Sequence, residues 1–133
     1  MSVCVVVAGD DGARTASHAL RAAGWGGVHF EASPAAAVRV SSGGRATVLN
    51  VSRSSASDTD AALAELVALG IGHDWRTPPP DLSEEEWGVL YGRANLTPRK
   101  TTLRLASASE KFGAQTDADL HVAFARWRLP EAD

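Results

Sequence analysis

Gly72, His73, Asp74 and Trp75 are the most chemically loaded short stretch of this chain. An imidazole that titrates near neutrality stands beside a carboxylate, the residue types that acid or base chemistry uses, and the indole that follows can hold a flat ligand. His73 and Asp74 are therefore the candidate catalytic residues. The competing reading is structural: adjacent residues rarely cooperate directly, and a histidine without a spaced partner is commonly a packed or surface side chain. A second group gathers polar residues after two apolar runs, Asp10 and Asp11 after residues 3–8, and Asn50, Ser52 and Arg53 at the end of residues 46–51. In a parallel sheet, ligands sit beyond the carboxyl ends of the strands, so these five are the candidate ligand-binding residues. The plainer alternative is that Asp10 or Asp11 caps a helix and the serines form a turn.

Other chemistry has less to stand on. Gly9 and Gly12 lack the close glycine spacing of a phosphate cradle. His18, His29 and His121 fall on separate elements without metal-ligand spacing, and Cys4 is the single cysteine, so neither a metal nor a cofactor is expected. Cys4 lies inside an apolar run, where burial raises a thiol's pKa and blunts its nucleophilicity, and no serine occupies a nucleophile-elbow setting. Of the four tryptophans, Trp87 suits a core. Trp127, flanked by Arg126 and Arg128, suits a partner-contact surface, to which Trp75 is added, with a solvated strand end as the plain alternative for the cluster.

The elements that must position these groups begin with a β-branched strand at residues 3–8, buried on both faces. A helix over 13–23 follows, stopped by Gly24. Val28, Phe30 and Ala32 alternate with polar neighbours as a short strand, and Ser33 with Pro34 opens a helix over 35–41, for which a hairpin of Val38 and Val40 with 47–51 is the competitor. Residues 46–51 form another strand, and Ser57 caps a helix with Leu63, Leu66 and Val67 inward and Gly70 at its end. This strand–helix alternation predicts a parallel sheet with right-handed crossovers. Residues 71–80 change character, and prolines 78–80 make 76–82 a stiff connector between the two halves of one domain. Ser83 and Glu86 form a capping box for a helix ending near Tyr91. Residues 101–108 and 120–129 read as two strands joined by a polar turn at Gly113, an antiparallel hairpin that closes the sheet. The expected fold class is thus α/β, a single mixed sheet with a βαβαβα first half and a C-terminal hairpin, with a ferredoxin-like α+β arrangement as the alternative.

At 133 residues, 44% hydrophobic and 22% charged, the chain is large and apolar enough to bury one core without disulfides. Its net charge of −3, with no long basic block, argues against nucleic acid as a partner. No apolar run reaches membrane-spanning length and no leader is visible, so no membrane is expected and the location inferred is cytoplasmic. Eleven of the 13 basic residues are arginine, which with the many alanines fits a high-GC bacterial genome.

The first seventy residues resemble a response-regulator receiver domain: an apolar strand ending in Asp10 and Asp11, a helix, then Phe30, Glu31, Ala32 and Ser33, then Val48, Leu49 and Asn50. In that family the acidic pair holds a divalent metal and the third strand ends in a phosphorylated aspartate. Asn50 stands at that position here, and a carboxamide cannot accept the phosphoryl group as a carboxylate does. The resemblance therefore implies a degenerate receiver without phosphotransfer. Two functions are carried forward. One is a non-catalytic regulatory or interaction domain binding a protein partner or small ligand. The other is a small enzyme using His73, or Asp10 and Asp11, as acid, base or metal ligand. Pairing of two copies is compatible with both.

Overall fold

The computed structural model describes residues 2–26, 28, 46–51 and 56–132, with the backbone alone for residues 56–59 and 62. It is a mixed α/β structure in the order β1 (Val3–Val7), α1 (Gly9–Ala22), β2 (Ala46–Asn50), α2 (Ala56–Ala68), β3 (Gly72–Trp75), α3 (Glu84–Tyr91), α4 (Pro98–Phe112) and α5 (Asp117–Trp127). The strands form one sheet in the order β2-β1-β3, and both pairings are parallel. Expected elements at 28–32 and 35–41 lie outside the described residues, apart from Val28, which is not in a strand.

β1 is central and buried along its whole length because every residue has a helix over one face or the other. Val3, Val5 and Val7 join α1 and the three C-terminal helices in the larger core, whereas Cys4 and Val6 meet Leu49, Leu63 and Leu66 on the α2 side. This alternation is the two-residue period of a strand expressed as two separate cores. Burial pushes the Cys4 thiol up to about 11, so it is a protonated core hydrophobe at neutral pH.

β3 lies where the sequence marks only a change of character before the connector at 76–82. Gly72, His73, Asp74 and Trp75 carry no β-branched residue, but an edge strand of four residues needs little propensity when α2 returns the chain beside β1. Gly72 permits that return: a Cβ there would lie 2.6 Å from the Leu66 Cβ. The connector then leaves the sheet and passes so near α1 that a Cβ at Gly12 would lie 3.4 Å from the Pro78 Cβ.

The C-terminal hairpin is a larger correction, since both of its strands are helices. Thr97 caps α4 through Lys100 N–H, Pro98 occupies the first turn, and Gly113 closes the helix with φ 68° in the left-handed region. Leu105, Ala108 and Phe112 reach the core at helical spacing while Leu103, which an alternating strand pairs with Leu105, is 54% exposed. In α5, capped by Thr116 through Asp119 N–H, Leu120, Phe124 and Trp127 turn inward. A two-residue period would bury Val122 between Leu120 and Phe124, yet it is 71% exposed. The all-parallel sheet likewise replaces the ferredoxin-like alternative.

α3 follows its expected capping box, with Ser83 accepting from Glu86 N–H and the Glu86 carboxylate accepting from Ser83 N–H. Its Trp87 is fully buried, donates to Thr15 Oγ1 at 3.2 Å and is surrounded by Trp75, Tyr91, Phe112 and Phe124. Residues 129–132 strap these helices to α1. Leu129 N–H donates to the Tyr91 hydroxyl, Trp25 Nε1 donates to Pro130 O, and Ala132 N–H donates to Ala23 O. No helix among the described residues is long and apolar enough to cross a membrane.

Candidate functional site

At the carboxyl end of the sheet, Asn50, Val7 and Trp75 lie in one row. The chain turns from β1 into α1 at once, so the expected loop at Asp10 and Asp11 is the first turn of a helix. The N-cap is Ala8, with no side-chain cap, so neither aspartate caps the helix; both complement its dipole. The Asn50 carboxamide spans the junction. Its Oδ1 accepts from Gly9 N–H at 3.2 Å and its Nδ2 donates to Asp10 Oδ1 at 3.2 Å. Asp11 turns instead to Arg14, which also pairs with Asp81 of the connector. The two carboxylates therefore serve different structural partners. Among the described residues no group of three His, Cys, Asp or Glu side chains could hold a metal ion. Ser52 and Arg53 lie outside the described residues.

His73 and Asp74 are neighbours in an edge strand, so their side chains leave on opposite faces. His73 pairs in register with Val5, on the side of the larger core. Its Nε2 is buried without a hydrogen-bond partner among the described residues, and burial lowers its pKa, holding the ring neutral at physiological pH. Asp74 faces α2, where the Arg76 side chain grips both of its oxygens and also pairs with Asp60. The hydrogen bonds from Arg76 hold the Asp74 carboxyl below the usual carboxylate range. Asp74 is thus a brace from β3 to α2. These charges and the flank of α2 at Leu63, Ala64, Val67 and Ala68 line an open concavity of about 600 Å³.

The third group separates in the same way. Trp75 is 3% exposed and stacks on Trp87 with centroids 5.9 Å apart, so it belongs to the core and not to a contact surface. Trp127 is half-buried, edge-on to Trp75 at 6.0 Å. The Arg126 guanidinium lies 4.6 Å from the Trp127 ring centroid, in cation–π range. Arg128 is just past α5, over the Phe124 ring and 3.5 Å from Glu131. Arg126 and Trp127 line a second concavity of about 460 Å³ with Pro80, Phe112, Asp119, Val122 and Ala123.

The structure brings together Asp10 with Asn50, and Arg126 with Trp127, but aims His73 and Asp74 apart. Sequence reasoning missed Asp119, Val122 and Ala123 as companions of Arg126 and Trp127. Their recurrence at i, i+3, i+4, i+7 and i+8 is the signal that would have found them, had the segment been read with a helical period. No family model matches the chain, and neither do any curated proteins or solved structures.

Proposed function

We propose that the chain is a non-catalytic interaction domain whose working surface is the concave face of α5 around Arg126 and Trp127. The observation that carries this reading is Val122, 71% exposed on a concavity walled by Phe112 and Trp127. An aliphatic side chain left in water between aromatic walls matches the centre of a contact surface, where aromatic and arginine side chains supply most of the binding energy. The carboxyl end of the sheet supports the same reading from the other side, because Asn50, Asp10 and Asp74 are engaged in bonds that tie elements to one another. On the receiver-like resemblance, Asn50 would occupy the phosphoacceptor position, and its bonds to Gly9 N–H and Asp10 give it a static structural role there.

The test is a photo-crosslinking residue placed at Val122 in cells of the native host, with the same residue at Glu65 on α2 as control. Selective capture from position 122 is expected. Capture that is absent, or equal at both positions, sinks the reading.

A small-molecule function at the sheet is the second reading, favoured by the buried Nε2 of His73, which has no hydrogen-bond partner among the described residues. It requires a rise in thermal unfolding temperature with a metabolite, nucleotide or Mg²⁺ that is abolished by Asp10→Ala or Asn50→Ala.

A further inference from the structure

We infer that the α5 face recognises itself: two copies of the chain pair their α5 helices antiparallel, Asp119 of each against Arg126 of the other. This rests on the interaction-domain reading and names the partner.

The order of residues along the stripe carries the argument. Asp119 stands near the amino end of α5, Val122 and Ala123 in the middle, and Arg126 near the carboxyl end. A two-fold axis midway between Val122 and Ala123 sets each Asp119 opposite an Arg126 and each Val122 opposite an Ala123. The face is therefore complementary to its own rotated copy in charge and in size, which is what a two-fold interface demands. A parallel arrangement would oppose like charges at both ends, so the charges also fix the direction. Ala123 is small enough for the helix axes to approach closely at the crossing. Both charged groups are exposed and already oriented, Asp119 by accepting from Gln115 N–H at 3.3 Å and Arg126 by lying over the Trp127 ring. An eleven-residue helix is only about 16 Å long, so even with the Phe112 and Trp127 walls the buried area is below that of a standard interface. The dimer is accordingly weak, with a dissociation constant on the order of micromolar or above.

The experiment is sedimentation velocity on the full chain at low salt, from about 10 µM to about 1 mM, the range over which so small an interface assembles. A wild-type monomer–dimer equilibrium that weakens as salt is added is expected. Asp119→Arg alone and Arg126→Asp alone become monomeric, because each puts like charges at both contacts. Mixed one to one they form a heterodimer, since one chain then carries both positive groups and the other both negative. Val122→Gln, which adds no charge beside the ion pairs, is also monomeric. Far-UV circular dichroism and thermal unfolding confirm that each variant folds. A wild type that stays monomeric throughout overturns the inference, as do single variants that still dimerise or a mixture that stays monomeric. A monomeric wild type with crosslinking from position 122 to a different protein removes self-pairing alone. Without that crosslink the interaction-domain reading falls too.

Discussion

β1 is enclosed by helices on both faces, and the polar residues at its carboxyl end bond to one another. α4 buries only Ala108 of its fifteen residues, and α5 leaves Val122 in water. The sheet packs on α2 through a thin aliphatic core, and on its other face its valines enter the larger core. The helices depend on a few large rings, on the ion pair of the buried Glu86 with the exposed Lys111 and on the strap at 129–132. Spare surface therefore lies among the helices, because α3, α4 and α5 around one aromatic centre leave their outer faces uncovered. Asp10, Asn50 and Asp74, among the residues suited to chemistry, lie in the sheet half, where structural bonds already occupy them.

The sharpest way to break this comparison is to empty the aromatic centre. Trp87→Ala should cost about 3–5 kcal/mol, and Leu63→Ala in the thinner core toward the lower end of the about 2–5 kcal/mol range for aliphatic truncations. Urea unfolding of both variants measures the difference, and equal losses would deny that the helices depend on one hub.

The ion pair comes next. Glu86 is 3% exposed; burial acts to raise its pKa, but the hydrogen bonds from Lys111 at 2.6 Å and from Ser83 outweigh this and lower it overall. Lys111→Met should cost about 2 kcal/mol at neutral pH by leaving that carboxylate buried without its cation. A carboxyl whose folded pKa is depressed contributes fully above its unfolded value near ~4.3 and loses that contribution as pH falls through the folded value. In the variant, protonation instead relieves a penalty. The stability gap between the two proteins should therefore narrow on acidification below about pH 5, and a constant gap would mean that Glu86 does not sense Lys111.

The smallest effect belongs to the sheet edge. Asn50→Ala removes two bonds in a partly solvated position and should cost about 1 kcal/mol, with faster hydrogen exchange at the Gly9 amide. Unchanged exchange would mean that the carboxamide does not hold the β1–α1 junction.

The sequence made legible what depends on local patterns. The run at β1, the strand at β2, Leu63 and Leu66 of the α2 stripe and the capping box of α3 each carry their signal within a few residues, and the structure has them, whereas Val67, expected inward, is 49% exposed and Ser57, expected as the cap, lies inside α2. β3 carried none, because its strand state comes from pairing with β1 and from the space at Gly72. The last two helices were legible but misread. Alternation of Leu103 with Leu105, and of Leu120, Val122 and Phe124, mimics a strand, whereas Thr97 with Pro98 and Thr116 with Asp119 are helix starts that outweigh it. That error hid the stripe on α5. The separation of His73 from Asp74 followed from the strand period once β3 was known.

The strap at residues 129–132 also bears on when this molecule can become native. Trp25 and Pro130 are 105 positions apart in a chain of 133, so the bond that joins them closes nearly the largest loop the chain contains. Contacts of such separation are paid for late, because the entropy of closing the loop is lost before any gain returns. During synthesis the carboxyl end of α1 must wait, unsealed, until residue 130 has left the ribosome.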